Sequence, residues 1–465
     1  MFYQHLFDRV REPAVVRAGL IGVGQFGTPM VTQSPLVPRL DVPIVAVLDV
    51  DAGRRAFRQA GVAEDDIAVC ECRAAALRAL EAGKKVVLQD ALLMMDLPLH
   101  VIATATRSPE AGARYAWEAI RHGKHVVMVD KEADSVVGPV LKHLADRAGV
   151  VFTTDDGDQP GLLMGLVSWV QSLGMEVLCG GNLHGCLYDP VSSTLTNRAR
   201  ITVHVPETDR WALEPIPPGQ AGKYVQARRR LVAEWRPSQV RGDPICHMAV
   251  AANGTGLLPD APVGHRPVVR LVELPEVLCP IDEGGILGVR GAMDIPVVMH
   301  TPDEPSVDGG VYVVVANDDA CSRAVMIQKG LVANSGKTSM LIYRPHHFCG
   351  AETAMSILCA GLLGVPTGSA EVLPRIDMVA TADRDLEAGE VLGVPGGLGY
   401  SPDLRAALAP AFSLAPGGPV PYFMLQGRRL VADVPQGMPV TLDQIERPVD
   451  SALWELREQQ DAQLL

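Results

Sequence analysis

An apolar run over residues 15–21 leads straight into Gly22-Val23-Gly24-Gln25-Phe26-Gly27. Nothing else in the chain restricts its fold so strongly. A G-x-G-x-x-G turn after a strand uses glycine to make the turn, to let a pyrophosphate touch backbone, and to pack helix on strand. The next helix aims free N–H groups and its positive dipole end at the phosphates. Pro29 is tolerated in that helix's first turn. A second apolar run, 43–48, ends at Asp49. An acid there bonds an adenosine ribose, or caps a helix. Asp49 and Asp51 disfavour a 2′-phosphate while Arg54 and Arg55 favour one, so NAD and NADP both stay open.

Strands are expected at 85–89, 99–103, 125–129 and 150–153, and Ser108-Pro109-Glu110 is a helix start. Such alternation means a parallel sheet with crossover helices and ligands at the carboxyl ends of its strands. Those ends carry Thr104, Ala105, Lys131 and Glu132. Lys131 is placed to polarise a carbonyl or share a proton with an alcohol during hydride transfer. It is one of only eight lysines, which leaves few rivals. The bland alternative is a solvated lysine or a partner of Glu132. Glu132 itself is a candidate for the nicotinamide ribose.

Farther on, Asp155-Asp156-Gly157-Asp158-Gln159-Pro160 forms a polar turn ahead of an apolar helix at 162–173. Asp158 and Gln159 are candidates to hold substrate; capping is the alternative. Residues 185–245 are poorly patterned. The β-rich runs 311–316, 324–327 and 339–343 suggest an antiparallel sheet serving as a dimer face and a wall of the site. Arg344, His346 and His347 precede a helix expected over 350–363. Arg344 suits a carboxylate or phosphate anchor, and His347 a place in the substrate site. Adjacent histidines project apart, which disfavours a His–His metal pair.

With 465 residues, about three domains are expected. A net charge of −13 argues against nucleic acid and anionic membranes as partners. No run of about 20 uncharged apolar residues is present, and no secretory signal is visible. Nine scattered cysteines without metal spacing read as reduced thiols in a cytoplasmic protein.

These pieces together resemble the homoserine dehydrogenase-like oxidoreductases with a C-terminal SAF domain, including deoxyxylulose-phosphate reductoisomerase-like enzymes. The resemblance spans nearly the whole chain. It rests on the glycine motif, His125-Val126-Val127-Met128 with Glu132-Ala133-Asp134, Gly157-Asp158-Gln159-Pro160, Asn253-x-Thr255-Gly256, Glu283-Gly284-Gly285, and Arg344-Pro345-x-His347 with Gly350 and Glu352. The stretch 379–390 is similar to the family's SAF opening, and 434–440 to its closing turn. Pro395-Gly396-Gly397 and the 416–421 stretch suit β turns.

The resemblance implies an α/β Rossmann-type doubly wound domain at 1–155, binding NAD or NADP through Gly22, Gly24, Gln25, Phe26, Gly27, Asp49, Thr104, Ala105 and Glu132. It implies an α+β substrate and dimerisation domain at 156–369, with an antiparallel sheet and a helix returning to the first domain, and a small β-rich SAF appendage and tail at 370–465. Lys131, Asp158 and His347 are the catalytic candidates. Gln159, Asn253, Glu283, Arg344 and Glu352 are the substrate candidates. The expected partners are a small polar substrate and further copies of the chain. The reductoisomerase branch would add a divalent cation, Mn2+ or Mg2+, to which Asp158, Glu283 and other acids could supply oxygens, although the sequence shows no metal cluster. Two places depart from the family: Asp130-Lys131 stands where Asn-Val is usual, and Asp243 and His247 stand where a lysine and a glutamate are usual. That departure keeps a second reading open, a non-catalytic NAD(P)- or sugar-acid-binding regulatory protein.

Overall fold

The computed structural model describes residues 2–235, 243–393 and 400–465. Pro395, Gly396 and Gly397 lie outside the described residues.

A seven-stranded parallel sheet organises the first part of the chain. Its strands are β1 (Val16–Ile21), β2 (Leu40–Ala46), β3 (Ile67–Cys70), β4 (Lys85–Leu88), β5 (Val101–Thr104), β6 (His125–Met128) and β7 (Phe152–Thr154). The order is β3-β4-β2-β1-β5-β6-β7, all pairs parallel. The chain winds one way from β1 to β2 and the other way from β1 to β5. The carboxyl ends of β1 and β5 therefore flank the switch point where α/β sheets bind ligands. Helices cover both faces, so the middle strands are continuously apolar: all four residues of β5 are buried. Ser108 caps the Pro109–Arg121 helix by accepting from Ala111 N, as its Ser-Pro-Glu start leads one to expect.

The described residues in the middle of the chain supply ten strands: β8 (Glu176–Asn182), β9 (His184–Asp189), β10 (Thr194–Asn197), β11 (Thr202–His204), β12 (Leu258–Pro259), β13 (Val268–Arg270), β14 (Ala292–Met293), β15 (Val297–His300), β16 (Val311–Ala316) and β17 (Ser339–Arg344). They form two mixed five-stranded sheets, with the orders β11-β10-β9-β15-β13 and β12-β14-β8-β16-β17. Of the runs expected to form an antiparallel sheet, 311–316 and 339–343 do pair antiparallel as β16 and β17, with β8 antiparallel on the other side of β16, while β14 and β12 extend the same sheet in parallel. Residues 324–327 are not a strand. They lie in the helix Ala320–Gln328, started by an Asp319 cap that a short apolar window does not reveal. The poorly patterned 185–245 stretch holds β9 to β11 and the helix Ala221–Leu231. Arg228 of that helix is fully buried and pairs with Glu273 at 2.6 Å.

The helix expected over 350–363 begins later, at Thr353, and its last turn widens into a π-helix at Cys359–Leu363. Ile357, Leu358, Ala360 and Leu362 pack into one cluster with Val16, Ala18 and Val101 of the parallel sheet.

At the C-terminal end, β18 (Ile376–Ala382) pairs antiparallel with β19 (Leu404–Pro410). The residues beyond β19 pack against the first part of the chain. Phe423, Met424, Trp454 and Leu456 share a core with Val136 and Val140 of the helix Lys131–Ala148. Pro139 lies inside that helix and opens its hydrogen-bond ladder. Gln460, on the terminal helix Ala452–Leu464, closes the gap: its amide donates to Val136 O and accepts from Val140 N, each at 3.2 Å. No helix among the described residues is long and apolar enough to cross a membrane.

Candidate active site

The ends of β1, β5, β6 and β7 open on one cleft of about 520 Å³. Gly22 leaves β1 with φ of 100°, a left-handed backbone that favours glycine, and a Cβ there would stand 2.3 Å from Ala105 O. A Cβ on Gly27 would stand 2.1 Å from Gly22 O. Gly24 differs: nothing lies within 4 Å of its notional Cβ, and it faces the cleft. Two glycines thus shape the loop, and the third keeps space open above it. That fits a dinucleotide phosphate laid against bare backbone.

Asp130 ties the floor together. Its Oδ1 accepts from Thr106 N and Arg107 N, both at 2.6 Å, joining the loop after β5 to the loop after β6. Burial pushes this carboxyl up to about 6, against the pull of those amides.

Lys131 opens the next helix, with its Nζ 3.5 Å from Asp158 Oδ2. Asp158 caps the helix Gln159–Ser172 through Gln159 N at 2.8 Å. His247, from the helix Asp243–Thr255, brings Nε2 to 3.7 Å of the same Asp158 oxygen. Burial drives the Asp158 carboxyl upward, but Lys131, His247, His347 and the Gln159 amide outweigh it and hold it below its ordinary value. Asp158 is therefore held as an anion beside Lys131. The His247 ring is held from behind: its Nδ1 lies 3.1 Å from Asn182 Nδ2 and 3.2 Å from Gln159 Oε1. Gln159 is oriented in turn by donating to Gly310 O at 2.8 Å.

His347 reaches the cleft from the other side. Its Nδ1 donates to Gly309 O, and its Nε2 lies 3.1 Å from Cys349 Sγ. Burial lowers its basicity, but Cys349, the Gly309 carbonyl and Asp158 raise it further, to about 9. Arg107 and Arg198 also line the cleft. Arg198 is paired there with Asp308 at 3.6 Å, and Asp130, Glu132 and Asp158 share the lining, so the cleft holds charges of both signs.

Lys131, Asp158, Gln159, His347 and Glu132 all line this cleft, as do Gly24, Gln25, Phe26 and Ala105. Thr104 is fully buried beneath it, bonded to Met128 sulfur at 3.3 Å. Asp49 caps the helix Val50–Gln59 through Asp51 N and pairs with Arg55 at 3.0 Å. Arg55 is thereby engaged beside the acid whose coenzyme preference it was expected to oppose. Four substrate candidates stand elsewhere. Asn253 holds Arg375 N and Ile376 N, each at 2.9 Å, and braces β18. Glu283 pairs with Arg290 at 2.5 Å. Arg344 and Glu352 pair with each other, so the intended anionic anchor is internally neutralised. Sequence reasoning missed Asn182, Arg198 and Cys349. It noted His247 only as a departure from a family pattern. The side chain of Asp243 lies outside the described residues. Among the described residues no cluster of three or more His, Cys, Asp or Glu is arranged to hold a metal ion.

Directly behind Asp158 lies Asp155. Burial pushes its carboxyl up to about 8; Gly157 and Thr353 pull it down, and Asp158 and Asp156 push it up. Because the folded value exceeds the ordinary 3.8, its contribution to stability is complete in acid and is lost as pH rises through about 8. Asp155→Asn removes that titration. Its melting temperature is expected to fall less than the parent's between about pH 6 and about pH 9. Parallel melting curves across that range would contradict the assignment.

Residues 242–353 match the family described as "Oxidoreductase DRL, catalytic domain". That segment supplies His247, Asp308, Gly309, His347 and Cys349 to the cleft. No curated protein matches the chain. Among solved structures, it is similar to scyllo-inositol dehydrogenase from Lactobacillus casei, solved with NAD(H) and scyllo-inositol, at 12% identity, 37% of this chain, 45% of that chain and TM-score 0.26. An oxidoreductase domain protein from Kribbella flavida matches at 15% identity, 38% and 44% coverage and TM-score 0.27. A levoglucosan dehydrogenase, in complex with NADH and L-sorbose, matches at 15% identity, 38% and 44% coverage and TM-score 0.25. The chain thus spans under half the length of each of these structures. The similarity to an oxidoreductase catalytic domain falls on the segment that completes the cleft at the switch point of the parallel sheet.

Proposed function

We propose that the chain is an NAD(P)-dependent dehydrogenase or reductase acting on the carbonyl or alcohol carbon of a small polar substrate. One observation carries the reading: Lys131, Asp158 and His247 converge from three separate elements on the cleft that begins at the glycine loop. A bound coenzyme supplies or accepts the hydride. Gly24, Gln25, Phe26 and Ala105 hold it, and Asp49 is the candidate for its adenosine ribose. Lys131 delivers a proton to the carbonyl oxygen, or takes one from the alcohol. Asp158 holds that ammonium in place, and the buried His247 stands beside the same carboxylate as a second group that can carry a proton. Arg107 and His347 favour a substrate with an anionic group, whereas Arg198 is already paired with Asp308. A sugar-derived phosphate, a hydroxy acid and homoserine each carry such a group. The homoserine dehydrogenase-like and reductoisomerase-like activities, the SAF assignment of the C-terminal module and a homo-oligomeric state belong to the same reading.

The test pairs calorimetric titration of NADH and NADPH with a turnover panel of hydroxy-aldehydes, keto-sugar phosphates and aspartate semialdehyde. Binding with turnover supports the enzyme. Binding without any turnover supports the regulatory alternative, and absence of binding overturns both. Gly24→Ala sharpens the test. Its Cβ meets no protein atom, so the melting temperature is expected to stay unchanged. Coenzyme affinity is expected to fall at least about tenfold, since the methyl group takes space needed by the phosphates. Unaltered affinity in this variant would remove the glycine loop from the coenzyme site.

A further inference from the structure

Cys349 and His347 take no part in proton transfer by Lys131, yet both line the cleft. Sγ of Cys349 lies 3.1 Å from Nε2 of His347. The other ring nitrogen is committed to Gly309 O, which fixes the plane of the imidazole. A thiol, a base and an orienting group in this order are the arrangement that activates a sulfur nucleophile. The next residue packs against the glycine loop, and Cys349 and Phe26 line the same cleft. Gly350 has φ of 73°, and a Cβ on it would stand 2.2 Å from Phe26 O.

The other cysteines lack this setting. Cys70, Cys179, Cys186, Cys279 and Cys359 are held as thiols by burial. Cys246 is buried, with Sγ bonded to Lys131 O at 3.2 Å. Cys72 and Cys321 are exposed surface thiols and serve as internal standards.

We propose that Cys349 and His347 form a reactive thiol site, and that a soft electrophile bonded to Sγ of Cys349 obstructs the coenzyme cleft. The site takes small alkylating agents and hydroperoxides. With an alkyl iodide, sulfur attacks carbon, the C–S bond forms, the C–I bond breaks and iodide leaves; the thiol proton resides on His347 Nε2. With a hydroperoxide, sulfur attacks the terminal oxygen, the S–O bond forms and the O–O bond breaks. Sulfur is oxidised by two electrons to a sulfenic acid, the peroxide is reduced, and the leaving alkoxide or hydroxide takes up a proton from water. The obstruction half of the proposal rests on the dehydrogenase reading; the reactivity half does not.

The experiment uses the full, reduced chain. It is treated briefly with limiting iodoacetamide at about pH 7, and each cysteine peptide is quantified by mass spectrometry. Cys349 is expected to label at least about tenfold faster than Cys72 and Cys321, although it is less exposed than either. His347→Asn is expected to erase that advantage while leaving Cys72 and Cys321 unchanged. Equal or slower labelling of Cys349 in the parent protein overturns the site, as does an unchanged Cys349 rate in a folded His347→Asn variant. Saturating NADH or NADPH is expected to protect Cys349 alone, and protein alkylated there is expected to lose coenzyme binding. Full coenzyme binding by the alkylated protein overturns the obstruction. No coenzyme uptake by unlabelled protein overturns the dehydrogenase reading and the obstruction with it, while rapid labelling would still uphold the thiol site.

Discussion

Replacing Lys131 with alanine is expected to lower kcat by about 10²–10⁴-fold, the range lost when a positioned proton donor is removed. Coenzyme affinity should stay within about threefold, because the glycine loop and Ala105 are untouched. The separation follows from geometry. Lys131 Nζ projects toward Asp158, whereas the phosphate cradle lies at the end of β1. Asp158→Asn is expected to lower kcat by a smaller factor. It leaves the ammonium in the cleft but removes the anion that holds it beside His247. Steady-state kinetics on the first substrate found, together with coenzyme titration of each variant, checks both. Parent-like turnover by Lys131→Ala would remove this residue from the chemistry. Loss of coenzyme binding in parallel with kcat would recast it as a structural residue.

A second large effect lies far from the cleft. Arg457→Ala is expected to destabilise the protein by about 3–5 kcal/mol, the cost of leaving a buried charge without its partner. Arg457 has a fully buried side chain, and its guanidinium grips Asp377 with two bonds, 2.6 and 2.8 Å long. Its Nε donates to Asp461 at 2.8 Å, and a further N–H donates to Phe412 O. The terminal helix is thus bolted to β18 of the preceding module. Adding Asp377→Asn to Arg457→Ala should recover part of the loss, because the stranded carboxylate disappears. Urea unfolding of the two variants measures both effects. A loss under about 1 kcal/mol for Arg457→Ala would show that the buried pair contributes little beyond packing.

The first sheet was legible because its signals are local. A strand, a glycine turn and a helix start occupy adjacent residues, so spacing alone places Gly22, Gly24 and Gly27 at the end of β1. The same logic put Lys131 at the end of β6. It did not show that the helix beginning there runs to Ala148 through Pro139, since a proline normally argues for a break. The distant helix carrying Gln460 makes that continuation tolerable.

The substrate side was far less legible. Arg344, Glu352, Glu283 and Asn253 are polar residues in recognisable motifs, and each is spent on a partner within the fold. A motif reports that a residue type is needed, not which way its side chain faces. Conversely, His247 and Asn182 stand 65 positions apart without any shared motif, yet meet at 3.1 Å.

By itself, the order of residues determined a parallel sheet with a glycine loop at its switch point and a lysine at a neighbouring strand end. These depend on backbone periodicity and on turns a few residues long. The tertiary structure alone decided which acids and histidines surround that lysine, which arginines are already neutralised, and that the C-terminal segment shares the core. Those outcomes depend on contacts between residues tens to hundreds of positions apart, where direction and burial, rather than residue type, set the chemistry.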